Sequence, residues 1–325
     1  MMGYVFDSVF ADEINNYIKL VASSGRYIEK IKSSLKGLDI YLASLPVADK
    51  TLSESLVKAW LDEKNVKHQT KARILDDIRG FAKYLISIGY QAVLPEPPIL
   101  RQDYVPYIFT SEELQSIFDA ADNCQAHTNG SPAGIQFPIA LRILYGCGLR
   151  LREALTITWK EIDLDRGIIT VHEAKNQKQR LVPFSDSLKI VLMQYQGFVF
   201  SGSGGRNYVF ESHFNPGKPY DSSTFWRWFS KILHKANIYY ARGSIHERGP
   251  CPHCMRHIFV IHSFMKSDAE GRDMENTVPF LSAYLGHEGI LETQKYLRAS
   301  YIIYAGSHQK INAHIGDIFP EVSFE

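Results

Sequence analysis

The stretch from Cys251 to Phe264, CPHCMRHIFVIHSF, concentrates side chains that can bind metals, transfer protons or hold anions. It contains a Cys-x-x-Cys pair, three histidines and one arginine, Arg256. A structural zinc site needs four ligands, usually as two closely spaced pairs, and the other two cysteines, Cys124 and Cys147, are isolated. Histidines and an arginine can instead serve proton transfer and phosphate binding. The residues outside this stretch must decide between the two kinds of site.

Residues of the same chemical types recur on both sides of this stretch. An arginine lies in GCGLRLREAL, a lysine in the polar segment of EAKNQKQRLVPF, a histidine in YLGH and a tyrosine in TQKYL. Each alone is weak evidence, because a single such residue is more often an ordinary surface or core residue. In chain order the whole set is Arg150, Lys175, His253, Arg256, His287 and Tyr296. Such groups suit nucleophilic and acid–base chemistry at a phosphate.

The first part of the chain, residues 1–95, has helical periodicity throughout. Apolar residues recur at helical spacing in YIEKIKSSLKGLDIYLASL, and TLSESLVKAWLDEK opens with Thr51 and Ser53, either of which can begin a helix. Four helices with short connections predict a small bundle. Four prolines in LPEPPILRQDYVPYIF then break any helix, so we predict an extended linker over residues 96–107.

A second, larger domain is predicted over residues 108–325. Its first helix is expected to be capped by Thr110 or Ser111, and a later one by Ser222 or Ser223. Alternation in IITVH and RLVPF on either side of AKNQKQ predicts a β-hairpin. Two helices should meet at a turn over 146–148, and the tail after Tyr296 is expected to form a further helix. The predicted fold class is mainly α (α+β), with one small β-sheet.

Composition limits the possible classes of protein. The hydrophobic fraction is 45%, and 36 Lys and Arg face 35 Asp and Glu, which is ordinary for a globular protein and neither demands nor excludes nucleic acid. No apolar run is long enough for a membrane span, and the N-terminus lacks the pattern of a secretory signal. Four cysteines in 325 residues do not form a disulfide framework, so we expect a cytoplasmic protein.

In type, order and spacing, the set resembles that of the tyrosine recombinases of the phage-integrase type, including the Xer enzymes. That family has an arginine in a GLRxxE element, a lysine in a β-hairpin, His-x-x-Arg, Leu-Gly-His and a tyrosine nine residues later. Each element is present here in order, with Glu153 completing GLRxxE, over residues 108–300. All of the short motifs together are a strong signal. The resemblance implies that the N-terminal helices form a SAM-like core-binding bundle and the rest a catalytic domain.

The resemblance implies a site-specific recombinase that cleaves and rejoins DNA. Tyr296 would attack phosphorus, leaving a 3′-phosphotyrosyl link and a free 5′-hydroxyl, and exchange would pass through a Holliday junction. Arg150 and Arg256 would bind the nonbridging oxygens, since charge grows there in the transition state. Lys175 would protonate the leaving oxygen, although Lys178 in the same turn competes for this role.

The remaining site residues have supporting or open roles. His253 and His287 would position the phosphate and handle protons, with Glu153 and His257 as supports. No cofactor or metal is expected, because the bond energy stays in the phosphotyrosine. The cysteine pair is then most simply two small buried residues, with a Cys-Cys-His metal site as the rival. Among nearby tyrosines, which are Tyr284, Tyr301 and Tyr304, only the spacing from LGH selects Tyr296.

The resemblance also implies partners and a nucleoid-associated location in the cytoplasm. We expect double-stranded DNA at inverted core sites, a homotetramer assembled on two sites, possible DNA-bending accessory factors and no membrane. Candidate DNA contacts, each also explicable as a solvated surface residue, are Lys64, Lys67, Lys71, Arg73, Lys178 and Arg180. Three rival functions stay open: relaxation of supercoils, as by a type IB topoisomerase, DNA binding without catalysis, and zinc-dependent regulation through the Cys-x-x-Cys pair.

Overall fold

The structure is a computed structural model. It describes residues 4–25, 28–45, 50–96, 106–124, 132–172, 179–201, 207–241, 249–287 and 289–296. The chain divides into two compact units, Met1–Tyr104 and Val105–Glu325. The division falls inside the segment predicted as a linker. In the described residues, no helix is long and apolar enough to span a bilayer.

The first unit is the predicted four-helix bundle. Its helices are α1 (Ala11–Ser23), α2 (Glu29–Ala43), α3 (Glu54–Glu63) and α4 (His68–Ser87). Each presents an apolar face, and Ile14, Leu35, Leu38, Ile78 and Phe81 are fully buried in one core. Ser53 begins α3 as predicted, because its hydroxyl accepts a hydrogen bond from the backbone N–H of Leu56.

The second unit begins with three helices and a small sheet. The helices are α5 (Ser111–Asp122), α6 (Ala133–Cys147) and α7 (Leu151–Leu155). Thr110 is the cap of α5, in a reciprocal capping box with Glu113. The sheet is antiparallel, in the order β1 (Ile162–Asp163), β2 (Ile168–His172) and β3 (Gln179–Pro183). The predicted hairpin strands are confirmed, whereas β1 was not predicted because two residues are too short to alternate.

Helices complete the described part of the second unit. They are α8 (Asp186–Ser201), α9 (Ser222–Lys235), α10 (His253–Ala269), α11 (Met274–Leu285) and a helical segment over 290–296. Helix α8 was not predicted from the sequence. The cap of α9 is Asp221, whose carboxylate accepts the N–H of Ser223, so the predicted serine cap was wrong. The predicted tail helix lies outside the described residues.

The core of the second unit is centred on α6. Nearly every residue of α6 is buried, and the helix packs against α10, α8 and α5. Its amphipathic signal is weak because apolar residues surround it, as expected for a central helix. The mainly α fold class is therefore confirmed. The predicted catalytic residues of the described part lie on α10, at the start of α7, just after α11 and on the segment 290–296.

Candidate active site

Two glycines in the left-handed backbone region end helices beside the site. Gly148 follows α6 with a φ of 59°, and Gly286 follows α11 with a φ of 66°. A β-carbon on Gly148 would overlap the ring of Phe259, so glycine is required there for space as well as for conformation. The turns leave carbonyls at the ends of both helices available, and Arg150 and Arg256 donate hydrogen bonds to them.

Arg256 lies in the second turn of α10 and is 1% exposed. Its Nη1 donates to the carbonyl of Gly148 at 2.8 Å, and its Nη2 donates to the carbonyl of Leu285 at 2.8 Å. Burial, followed by the charge of Arg150, lowers the pKa of Arg256 to about 10. The guanidinium therefore stays charged at neutral pH and is held rigidly between the ends of α6 and α11.

Arg150 stands immediately before α7 and is more accessible, with 41% of its side chain exposed. Its backbone N–H and its Nη1 both donate to the carboxylate of Glu153, at 2.9 and 2.8 Å. Its Nη2 donates to the carbonyl of Gly286 at 3.2 Å. One edge of the guanidinium is thus fixed by the protein while part of the group remains open to a ligand.

Glu153 binds a second arginine that comes from β3. Arg180 Nη2 and Nη1 donate to the two oxygens of Glu153 at 2.7 and 3.3 Å, and Nε donates to the carbonyl of Tyr284 at 2.9 Å. Burial alone would raise the pKa of Glu153, but hydrogen bonds from Arg180 and Arg150 outweigh it and hold that pKa below its usual value. Glu153 is therefore ionised at neutral pH.

Arg180, which was predicted as a DNA contact, lies beside the candidate site. Only 9% of its side chain is exposed, and its donors are taken up by Glu153 and a backbone carbonyl. Its contacts with Glu153 fix the carboxylate that orients Arg150, so Arg180 supports the site. Its predicted contact with DNA stays a prediction.

His287 is oriented from both sides of its ring. Its Nε2 lies 3.0 Å from Arg256 Nη2, and its Nδ1 lies 2.7 Å from the hydroxyl of Thr293. Burial, then the charges of Arg256 and Arg150, lower the pKa of His287 to about 4. Because an arginine only donates, the neutral ring must accept at Nε2 and carry its proton on Nδ1. The proximity of Glu292 at 3.8 Å is accordingly not an ion pair at neutral pH.

Tyr296 lies within reach of the same cluster. Its hydroxyl is 2.8 Å from Nδ1 of His257, and its ring stacks on that of His287 with centroids 6.4 Å apart. Burial raises the pKa of Tyr296, so the phenol holds its proton at neutral pH. Burial, followed by the neighbouring His253 and Arg256, lowers the pKa of His257 to about 3, so this imidazole is neutral. The phenol can therefore donate to His257.

Positive charge exceeds negative charge at the centre of this cluster. Three guanidiniums, those of Arg150, Arg180 and Arg256, act together on His287. Among the described carboxylates, Glu153 binds two of these guanidiniums and Glu292 lies 3.8 Å from His287. Such an arrangement attracts an anion and suits a phosphate, which accepts several charged hydrogen bonds at once.

Of the remaining predicted site residues, His253 lies at the edge of the cluster and the two lysines are not described. His253 is the first residue of α10, is exposed, and its ring meets that of His257 edge-on at 4.7 Å. Lys175 and its competitor Lys178 lie outside the described residues. The structure thus brings together Arg150, Arg256, His287 and Tyr296, with Glu153 and His257 in contact with them and His253 at the edge.

The cysteine pair is close to this site but shows no metal cage. Cys251 and Cys254 have sulfurs 3.5 Å apart. Among the described residues, no group of three or more His, Cys, Asp or Glu side chains is placed to hold a metal ion. Of the two thiols, Cys254 is buried as expected, whereas Cys251 is only half-buried.

The predicted DNA contacts of the first unit gather where α4 begins. Lys67 is the residue before the helix and Lys71 lies in its first turn, which has neither a side-chain cap nor an acidic residue. Lys64 lies over the ring of Trp60, 4.4 Å from its centroid. Arg73 instead donates to Asp77 at 2.9 Å and to Ser34 at 3.4 Å, so it also ties α4 to α2.

The second unit of the chain matches one known family. The pattern described as the phage integrase family matches residues 108–301. The chain belongs to the phage integrase family, the tyrosine recombinases, which are DNA strand-transferring enzymes.

Individual relatives extend the likeness over most of the chain. A protein of Sinorhizobium fredii named y4rB and described as an integrase or recombinase is 26% identical, over 90% of this chain and 94% of its own. Tyrosine recombinase XerD of Pseudomonas aeruginosa is 27% identical, over 73% of this chain and 74% of its own. The solved XerH site-specific recombinase, bound to a palindromic difH substrate in a post-cleavage complex, has a TM-score of 0.68 at 16% identity and covers 86% of this chain and 78% of its own.

Two features of the site were missed by sequence reasoning. Thr293, which is fully buried and fixes the tautomer of His287, lies three residues before Tyr296 on the same helical segment. The ion pair of Arg180 with Glu153 joins residues 27 positions apart on different elements. The alternation of QRLVP places Arg180 on the same face of the strand as Val182, which is buried, but does not indicate which carboxylate Arg180 binds.

Proposed function

We propose that this protein cleaves and rejoins DNA at specific sites through a covalent 3′-phosphotyrosine at Tyr296, with strand exchange through a Holliday junction. The observation that carries the proposal is the hydroxyl of Tyr296, held 2.8 Å from the neutral His257 beside a cluster of guanidiniums. A phenol, an adjacent proton acceptor and positive charge for a phosphate are the parts that such a reaction needs.

The arginines act on the phosphate. Arg256, rigid and buried, and Arg150, partly open, donate to the nonbridging oxygens as negative charge builds there in the pentacoordinate transition state. Glu153 and Arg180 keep Arg150 in place. Because these donors are held by backbone carbonyls and an ion pair before DNA arrives, little reorganisation accompanies the reaction.

Protons move at two oxygens. The Tyr296 oxygen must lose its proton as it attacks phosphorus, and His257 Nδ1 is the described acceptor within hydrogen-bond distance. Burial, and then the neighbouring positive charge, keep His257 and His287 neutral. The negative phosphate offsets that charge, which makes proton uptake by the imidazoles easier. The leaving 5′-oxygen gains a proton, and we assign that transfer to Lys175. His253 and His287 position the phosphate.

The partners follow from this chemistry. We assign to the protein double-stranded DNA with inverted core sites, on which four copies assemble over two sites, with accessory DNA-bending factors as an option. The solved relative on a palindromic substrate supports inverted sites. Lys64, Lys67 and Lys71 at the start of α4 would bind phosphates, since an uncapped helix N-terminus and ammonium groups both favour anions. Integration or excision of a mobile element, or resolution of replicon dimers, in the cytoplasm is the resulting role.

Covalent trapping tests the proposal. Nicked suicide duplexes, made from DNA at the borders of the element or locus that encodes the chain, are incubated with the protein in EDTA. We expect a protein–DNA band that resists SDS, is lost in Tyr296→Phe and persists in Tyr284→Phe. Tyr284 is a matched control because its hydroxyl donates to the carbonyl of Pro183 and its ring stacks on Phe259.

Two outcomes would contradict the proposal. Tight, specific DNA binding without any covalent band would favour a protein that binds DNA and does not cleave it. Relaxation of supercoiled plasmid without exchange between two sites would favour the topoisomerase-like function.

A further inference from the structure

We propose that Cys251 and Cys254 are a reversible modification site, at which a disulfide oxidant forms a Cys251–Cys254 disulfide that slows DNA cleavage. The effect on cleavage rests on the proposed function, whereas formation of the disulfide does not. Neither cysteine has a part in the strand-transfer chemistry.

The geometry favours a disulfide between these two residues. Their sulfurs are 3.5 Å apart, and the backbone N–H of Cys254 donates to the carbonyl of Cys251 at 2.9 Å, which closes a tight turn at the start of α10. A disulfide requires about 2.05 Å between sulfurs. The pair therefore needs a movement of only about 1.5 Å, and this distance can be covered by side-chain rotation together with a small shift of the first helical turn.

The two sulfurs differ in access, which assigns them different roles. Cys251 is half-buried and precedes α10, so a small oxidant can reach it. Cys254 is 1% exposed, and its pKa is raised by the hydrogen bond with Cys251 and then by burial. Cys251 is thus the attacking residue, and Cys254 is the residue that resolves the intermediate.

The reaction balances with a small-molecule disulfide, such as oxidised glutathione, as the oxidant. The Cys251 sulfur attacks one sulfur of the oxidant, the sulfur–sulfur bond of the oxidant breaks, and the first thiol leaves. The Cys254 sulfur then attacks the Cys251 sulfur, and the second thiol leaves. Two electrons and two protons pass in total from the cysteines to the oxidant, and a dithiol reverses both steps.

The disulfide would act on the site through the start of α10. His253 lies between the two cysteines, and Arg256 and His257 follow within the next turn of the same helix. A displacement on the order of 1 Å among catalytic groups can cost about a hundredfold in rate. A cross-link that moves and fixes this turn should therefore slow cleavage by at least about tenfold.

The other cysteines provide an internal contrast. Cys147 is fully buried, and burial raises its pKa to about 12, so it resists oxidation. Cys124 is 4% exposed and follows α5, away from the described start of α10 in the sequence. Oxidation should therefore fall on the Cys251–Cys254 pair and leave these two as thiols.

The test uses the full chain in buffers with increasing ratios of oxidised to reduced glutathione. Each sample is divided: one half is quenched with acid, alkylated and digested for mass spectrometry, and the other is assayed on the suicide duplex. We expect the peptide with Cys251 and Cys254 to lose two alkylation sites and two mass units, while the cleavage rate falls in parallel by tenfold or more. Dithiothreitol should restore both.

Cysteine variants show whether the Cys251–Cys254 pair or another thiol causes the sensitivity of cleavage to oxidation. Cys251→Ser should cleave DNA at a rate that glutathione disulfide does not change, and Cys124→Ala should remain sensitive. The proposal is overturned if the two cysteines keep both alkylation sites under oxidation, or if metal analysis finds zinc bound through them. A disulfide that leaves the rate unchanged would overturn the regulatory effect. A disulfide in a chain that cleaves no DNA would support the modification site and contradict the proposed function.

Discussion

The two units of this protein use buried charge differently. In the first unit, Asp39 is fully buried and accepts hydrogen bonds from the Tyr4 hydroxyl at 2.8 Å and from the backbone N–H groups of Asp7 and Ser8 at 3.1 and 3.0 Å. In the second, Arg256 bonds to two carbonyls and to a neutral histidine, and no described carboxylate lies within ion-pair distance of it. The first charge ties the N-terminal segment to α2, whereas the second is left to attract an anion.

This difference distinguishes buried charges that stabilise the fold from buried charges that bind a ligand. A buried charge with a full set of local donors contributes to stability and needs no ligand. Guanidiniums that exceed the carboxylates around them require another source of negative charge, and a DNA phosphate supplies it. Substitutions in the two units should therefore have different effects on stability and on cleavage.

Among substitutions that keep the tyrosine nucleophile, replacement of Arg256 should have the largest effect on catalysis. Arg256→Lys keeps the charge but loses the fork that binds two carbonyls and an oxygen of phosphate, so single-turnover cleavage should slow by about 10²–10³-fold, as for loss of one oxyanion donor. Arg142→Lys is the matched control, because Arg142 is also buried but is paired with Asp122 at 2.7 and 2.8 Å. Equal cleavage rates in the two variants would contradict the assignment of Arg256.

Removal of one carboxylate from each unit should affect the stability of both units but DNA cleavage only in the second. Glu153→Gln leaves Arg180 buried without its counter-charge, so the free energy of unfolding should fall by about 3 kcal/mol and cleavage should slow because Arg150 loses its support. Asp39→Asn should lower the free energy of unfolding by about 1–2 kcal/mol and leave the cleavage rate at saturating DNA unchanged. Urea denaturation measures the free energy of unfolding, and single-turnover assays measure the cleavage rate. Slow cleavage by Asp39→Asn would contradict the assignment of Asp39 to stability alone.

Acid should destabilise the protein through its buried histidines. The pKa values of His257, His262 and His287 are lowered to about 3, 4 and 4, while an unfolded histidine titrates near 6.5. Below that pH the unfolded chain takes up protons that the folded chain does not, so the free energy of unfolding falls from pH 7 to pH 5, on the order of 1 kcal/mol for each histidine. Urea denaturation at both pH values measures the change.

One histidine can be removed without touching the site. His262→Gln should lower the loss between pH 7 and pH 5, because one of the three groups no longer takes up a proton in the unfolded chain. The readout is the difference between the two pH values, which a simple loss of packing does not alter. An unchanged difference would show that His262 titrates alike in the folded and unfolded chains.

The smallest expected effect is on DNA binding by the first unit. Lys67→Ala and Lys71→Ala should each reduce the slope of log binding constant against log salt by about 1, since each removes one phosphate contact. The cleavage rate at saturating DNA should not change. Lys58→Ala, which removes an exposed lysine from α3, is the control and should leave the slope as it is. Equal slopes in all three variants would remove the start of α4 from the DNA interface.

Local signals explain what could be predicted from the sequence. Apolar spacing predicted α1–α4, the alternation on either side of AKNQKQ predicted β2 and β3, and the order of short motifs selected the residues that the structure brings together. These signals are local or depend on spacing along the chain. Helix α8 was missed because its apolar residues do not form one clear face.

Tertiary contacts explain what could not be predicted. The pairing of Arg180 with Glu153 depends on how β3 packs beside α7, and the bond of His257 to Tyr296 joins residues 39 positions apart. No spacing along the chain indicates either contact. The depressed pKa values of the site histidines follow from burial and neighbouring arginines, which exist only in the folded chain.

Peptide mapping of the trapped complex is the decisive measurement. The covalent protein–DNA complex formed on a suicide duplex is digested with protease and nuclease, and the peptide that carries the nucleotide is sequenced by mass spectrometry. A 3′-phosphate joined to Tyr296, in a reaction that proceeds in EDTA, is the predicted result. A nucleotide on Tyr284 or on a tyrosine of segment 301–325, or a link through any residue other than tyrosine, would contradict the account.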